Sequence, residues 1–112
     1  MTPVRAYHAH VYFDVADQMR AIQLRDELGR RFPVHLGRVH DRPVGPHAKA
    51  MFQALFAPAD FGRIVPWLMQ HRDGLDILVH PDTGDDLSDH RDRAMWLGRS
   101  LPIDLDKLVP AA

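Results

Sequence analysis

Tyr7-His8-Ala9-His10-Val11-Tyr12-Phe13 alternates without a break. Tyr7, Ala9, Val11 and Phe13 fall on one side of an extended chain; His8, His10 and Tyr12 fall on the other. A period of two predicts a β-strand over residues 5–13, apolar on one face and carrying two imidazoles on the other.

The flanking sequence supplies the remaining elements. Asp14 and Asp17 are candidate N-caps for a helix over 16–32, where Ala21, Leu24, Leu28 and Phe32 recur at steps of three and four. Gly29 and Pro33 mark its end. A weaker strand is predicted over 34–40. Asp41-Arg42-Pro43-Val44-Gly45-Pro46-His47 is punctuated by Pro and Gly and reads as a loop. Lys49 to Ala57 predicts a third strand, with Phe52, Ala54 and Phe56 on one face and Met51, Gln53 and Leu55 on the other. Asp60 is placed to cap a second helix reaching Arg72, in which Pro66 is an anomaly: inside a helix it costs roughly 3 kcal/mol. Gly74 suits a C′ position, and residues 75–80 predict a fourth strand.

The order β-α-β-β-α-β predicts an α+β, ferredoxin-like domain: a four-stranded antiparallel sheet with two helices on one face. The crossover rule is read as putting strand 1 in the centre, antiparallel to strand 4 and parallel to strand 3. A C-terminal extension follows from 82 to 112. Its Asp82-Thr83-Gly84 is a turn, Ser88 to Leu97 predicts a short helix carrying His90 and Trp96, and Leu101 to Val109 is extended and irregular. The whole chain, 1–112, is expected to be one domain.

Composition narrows the function classes. The 112 residues are 46% apolar and 26% charged, with a net charge of -1. No basic surplus points to nucleic acid. No apolar run approaches the ~20 residues of a membrane span, and the N-terminus lacks a signal-peptide pattern, so a cytoplasmic protein is expected. There are eight histidines and no cysteine, which removes disulfide and thiolate chemistry and leaves metal binding or acid–base work.

The topology gathers the histidines. His8 and His10 lie on the sheet face away from the helices, and His80, alternating with Val79, points the same way at the end of strand 4. The loop feeding strand 3 delivers His47 and His40. These residues are expected at one corner of the open face, near Gln53 and Asp76, while His35 and His71 stay on the surface. Singly, each has an ordinary explanation: a solvated strand face, a strand cap, a turn. Convergence is what favours a site. His35-x4-His40 lacks the cysteine half of a zinc finger, Asp82 to Asp86 lacks the ligand spacing of a calcium loop, and Ser88 stands in no nucleophile-elbow motif. Tyr12, Met51, Leu55 and Leu78 give the open face enough apolar surface to predict a homodimer.

Tyr7-His8-Ala9-His10-Val11-Tyr12-Phe13-Asp14, then Pro43-Val44-Gly45-Pro46-His47 leading into Met51-Phe52, then His80-Pro81-Asp82-Thr83-Gly84 with Asp89-His90 and Ala94-Met95-Trp96-Leu97-Gly98, resemble the DOPA 4,5-dioxygenase family. The resemblance runs from about residue 6 to 99, with Ala48 standing where a proline is expected. It implies a small ferredoxin-like enzyme that opens an aromatic ring by the extradiol route, with a catechol and O2 as substrates. Such chemistry generally uses non-haem Fe(II) held by two His and one carboxylate; zinc or another divalent ion could replace it in purified protein. Asp76 lies toward the other end of the sheet and Glu27 is on a helix, so an all-histidine site is open. On this reading His10, His47 and His80 are the metal ligands. His8 is a fourth ligand or an acid–base residue, and His90 supports the site. Arg42 is the candidate for a substrate carboxylate, with Gln53 and Tyr12 lining the substrate. Two other classes fit the same fold: a non-catalytic dimeric metal- or ligand-binding domain, and a metal-free oxygenase or isomerase of the dimeric α+β barrel type.

Overall fold

A computed structural model describes residues 2–109. The chain forms β1 (Ala6–Phe13), α1 (Gln18–Arg31), β2 (His35–Leu36), β3 (Ala50–Phe56), α2 (Phe61–His71), β4 (Asp76–Asp82), α3 (Asp86–Arg91) and β5 (Met95–Leu97). The strands make one sheet in the order β2-β3-β1-β4-β5, with every pairing antiparallel. The α+β class and the ferredoxin-like order are as expected, with a fifth strand added at the edge.

The alternation in β1 fixes which face is the core. Ala9, Val11 and Phe13 are buried with Phe52, Ala54 and Phe56 of β3 and Ile77 and Val79 of β4. Ala21, Leu24 and Leu28 of α1 and Ile64, Val65 and Leu68 of α2 cover them. Each fully buried Val, Leu, Ile or Phe side chain among them contributes about 1.5–3 kcal/mol. Pro66 does lie inside α2. It is exposed, as is Gly62 four residues earlier, so the carbonyl it leaves unpaired faces water. None of Asp14, Asp17 and Asp60 makes a side-chain capping bond. Asp17 and Asp60 instead pair with Arg20 and Arg63.

Three expectations need correction. First, β3 runs antiparallel to β1, with His8 opposite Leu55 and His10 opposite Gln53. The helical crossover makes β2 parallel to β1, and the direct β2–β3 connection then reverses the chain, so β3 must oppose β1. Second, strand 2 is short. The Gly37 amide still donates to Gln53, at 2.7 Å, but pairing lapses until His40 meets Met51 in an isolated bridge. Third, Trp96 is not helical. The third helix starts earlier than predicted because Asp85 caps it, accepting from the Ser88 amide at 3.2 Å. It ends at Arg91, and the chain then adds β5, with Trp96 opposite Leu78.

β5 and the segment after it cover the open face. Tyr12, Met51 and Leu78 are buried there under Ala94, Trp96, Leu101 and Ile103. Trp96 stacks on Tyr12 at 5.7 Å between ring centroids. The apolar surface from which a dimer was expected is thus largely covered by the chain itself. Gly98, at φ 88°, allows the turn after β5: a Cβ there would stand 2.5 Å from atoms of Arg72 and Asp76.

Candidate metal centre

β1 and β4 supply the rigid part of the site. His8 lies directly opposite His80 in the register, and His10 lies beside Leu78 on the same face. The His8 and His80 ring centroids are 4.9 Å apart, and those of His10 and His80 5.1 Å. His10 and His80 are each 3% exposed, deep enough that water cannot serve as their general partner.

His47 arrives by a different route from the one predicted. With β3 antiparallel, the start of β3 lies beside Phe13, away from His8. The loop before β3 instead folds back over the sheet face, where the C-terminal segment holds it. His47 bridges to Ile103, the Asp104 amide donates to the Pro46 carbonyl at 2.9 Å, and Lys107 Nζ donates to the Gly45 carbonyl at 3.3 Å. His47 then lies 4.3 Å from His10, ring to ring. His90, on α3, completes the group at 4.0 Å from His80 and 6.2 Å from His47.

The hydrogen bonds assign most of the protons. A carbonyl can only accept, so His80 Nδ1–H donates to Pro81 at 2.8 Å and His90 Nδ1–H to Asp86 at 2.7 Å. In the neutral tautomer each of these rings has its lone pair on Nε2. His10 Nε2–H donates to His80 Nε2 at 3.0 Å. His47 Nδ1 is bonded to the Tyr12 hydroxyl at 2.7 Å, which leaves Nε2 for another partner. Burial pushes the Tyr12 phenol up, so it stays protonated.

Burial favours the neutral form of His8, His10, His47 and His80. It lowers His8, lowers His10 well below the usual range, and pushes His47 and His80 down to about 4, with the neighbouring histidines adding to the effect on each. This has a measurable consequence for the metal-free protein. Above about pH 6.5 the rings are neutral whether folded or not. Between 6.5 and about 4 the unfolded chain takes up protons that the folded one refuses, so stability falls as pH falls, by several kcal/mol in order of magnitude. Denaturant unfolding of chelator-treated protein should show this loss between pH 7 and pH 5; equal stabilities at the two would contradict it.

The residues fit a divalent ion. His8 Nε2 and His10 Nδ1 are buried with no hydrogen-bond partner, a costly state for a polar atom. Among the described residues, two sets of three candidate donors have ligating atoms within 4.8 Å of one another: His8, His10 and His80, and His10, His47 and His90. Both are all histidine. The nearby carboxylates are engaged elsewhere. Asp76 accepts from the Arg99 amide and guanidinium, Asp82 from Arg5, and Asp89 from Thr83 and Arg93. Burial opposes the charge on Asp89, 1% exposed, but the Thr83 and Arg93 bonds outweigh it and lower its pKa.

The predicted residues thus separate. His8, His10, His47, His80 and His90 come together, but His47 groups with His10 and His90 rather than with His80. Gln53 lies across from His10, and Tyr12 touches His47. Arg42 is not brought in. Its side chain is 82% exposed, pairs with Asp41, and lines a shallow cavity of about 480 Å³ with Gln18, Arg38 and His40. His35 and His71 are exposed, as expected. The sequence reading missed the buried Asp89–Thr83–Arg93 network that fixes α3 and His90; the i,i+4 spacing of Asp89 and Arg93 was its signal.

Comparison with known proteins gives the family. The Dopa 4,5-dioxygenase family model matches residues 7–107. An uncharacterized 21.2 kDa protein of Botryotinia fuckeliana is 38% identical over 112 residues, covering 89% of this chain and 61% of its own length. The DOPA 4,5-dioxygenase of Amanita muscaria is 33% identical over 114 residues, covering 94% of this chain and 50% of its own. The chain therefore spans only about half to three-fifths of these curated relatives. A crystal structure from Nostoc punctiforme PCC 73102, described as that of a "putative dioxygenase", superposes with a TM-score of 0.92 at 51% identity, over 94% of this chain and 91% of that one. Motifs, fold and match agree: the chain belongs to the Dopa 4,5-dioxygenase family.

Proposed function

We propose that this protein is a ring-opening dioxygenase that uses a histidine-bound non-haem metal, Fe(II) in the active form, to insert O2 into a catechol. The observation that carries the reading is a cluster of five histidines, three of them buried and two carrying unpartnered ring nitrogens, in a chain of this family. His8, His10 and His80 are the favoured ligands, because two of them carry the orphaned nitrogens and the third has its Nδ1–H held by the Pro81 carbonyl, which leaves its lone pair on Nε2. His8 here takes the place first given to His47. Bound Fe(II) supplies open coordination positions for both catechol oxygens and the redox chemistry that O2 requires.

The chain's own groups handle the protons. His90 Nε2 is bare and its ring is held by the Asp86 carbonyl, so it can accept a proton from a catechol hydroxyl and later return it. His47, held by Tyr12, is the second acid–base candidate. The Gln53 amide, opposite His10, is a polar handle for the substrate. Trp96, Leu101 and Ile103 pack over Tyr12, the residue that holds His47. If the protein dimerises, the part of the open face beneath these residues is already occupied by its own chain. No helix among the described residues is long and apolar enough to cross a membrane.

The test is anaerobic reconstitution of untagged, chelator-treated protein with Fe(II), followed by oxygen uptake against L-DOPA, caffeate, protocatechuate and homoprotocatechuate. A yellow semialdehyde product, lost on chelation and restored by Fe(II), is expected. Metal bound tightly with no uptake on any catechol would leave a metal-binding domain instead. No metal bound at all would overturn the metal reading.

A further inference from the structure

The histidine cluster contains more ligands than one ion needs, and they divide unevenly. His8, His10 and His80 all stand on adjacent central strands, paired residue to residue. His10, His47 and His90 draw one ligand from the sheet, one from the loop before β3 and one from α3. His10 belongs to both sets. It is also the ring with spare capacity: Nε2 is 3.0 Å from His80 Nε2, and Nδ1 is buried without a partner.

We infer that the protein has two alternative positions for a single divalent ion, one on the strand set His8/His10/His80 and one on the loop-and-helix set His10/His47/His90, with His10 the ligand common to both. This rests on the metal reading above and goes beyond it in assigning the second set.

Simultaneous occupation is disfavoured by charge. Two doubly charged ions would share one imidazole in a buried site with no carboxylate to offset them, since Asp76, Asp82 and Asp89 are bound to Arg99, Arg5 and Arg93. Single occupancy makes the outer four histidines partly redundant. Losing His8 leaves the second set intact, and losing His47 leaves the first. Losing one from each set, or His10 alone, leaves no complete set of three.

The two positions also differ in what holds them. The strand set is fixed by the β1–β4 ladder. The second set depends on the Ile103 bridge to His47 and on the Asp89–Thr83–Arg93 network beneath His90.

The test is equilibrium dialysis of chelator-treated protein against Co(II), with metal counted by mass spectrometry and ligation followed in the visible d–d spectrum. Wild type should bind one equivalent. His8→Ala and His47→Ala should each still bind one, with affinity reduced by no more than the ~10–100-fold typical of a lost supporting contact, and with two different spectra. The double variant and His10→Phe should lose binding by well over that range. Circular dichroism and thermal melting confirm that each variant is folded; His8→Gln and His47→Gln replace any alanine variant that is not. The inference is overturned if either single variant binds as weakly as the double, which would mean one set only, or if wild type binds two equivalents. A wild-type protein that binds no Co(II), Zn(II) or Fe(II) would instead remove the metal reading beneath it.

Discussion

His10→Phe should abolish oxygen uptake while leaving the fold intact. His10 is the one ring present in both donor sets, so its loss removes every set of three histidines among the described residues. A metal's contribution to such a reaction is several kcal/mol, so kcat/KM should drop by about 10³-fold or more. Stability should respond far less. In the metal-free protein His10 is neutral, 3% exposed, and already carries an unsatisfied nitrogen. Phenylalanine keeps an aromatic ring there and removes that unpaired atom, so the metal-free variant should stay within about 2 kcal/mol of wild type in denaturant unfolding. A variant that lost activity only because it unfolded would show a large fall in its denaturation midpoint. One that kept full activity would exclude His10 as a ligand.

Removal of residues 101–112 should damage both stability and site. Leu101 and Ile103 help to bury Tyr12, Met51 and Leu78, and their loss bares that apolar face. The expected destabilisation is about 2–4 kcal/mol, which lowers Tm by roughly 10 °C or more in a domain of this size. The same cut removes the Ile103 bridge and the Asp104 and Lys107 bonds that hold the His47 loop. The truncated protein should bind a hydrophobic dye, and its Trp96 emission should shift to the red. Ile103→Asp, which keeps the chain length, should reproduce most of the effect. Unchanged Tm in both variants would show that the segment is ornamental to the fold.

Much of the site was legible because strand alternation is strict. A period of two cannot place His8, His10 and Tyr12 on one face without placing Ala9, Val11 and Phe13 on the other, and the same rule aimed His80 at them from β4. His47 was also expected in the cluster, but through a parallel β3 that does not exist. It is there because the loop folds back over the sheet and the C-terminal segment holds it. Trp96 was read into a helix because a helical spacing and a three-residue edge strand look alike in a short apolar stretch.

Local rules therefore sufficed for what local rules control: the order of the first six elements, the buried face of the long strands, and the candidate ligands on β1 and β4. They could not reach what depends on distant segments meeting. Nothing near residue 12 says that residues 94–103 will cover it. Nothing near residue 47 says that Ile103 will hold it. Nothing near residue 90 says that its ring will lie 4.0 Å from His80. Those placements come from non-local pairing and burial, where contacts across many residues of chain select one arrangement. They turn a row of histidines on a strand into two overlapping sets of ligands that share His10.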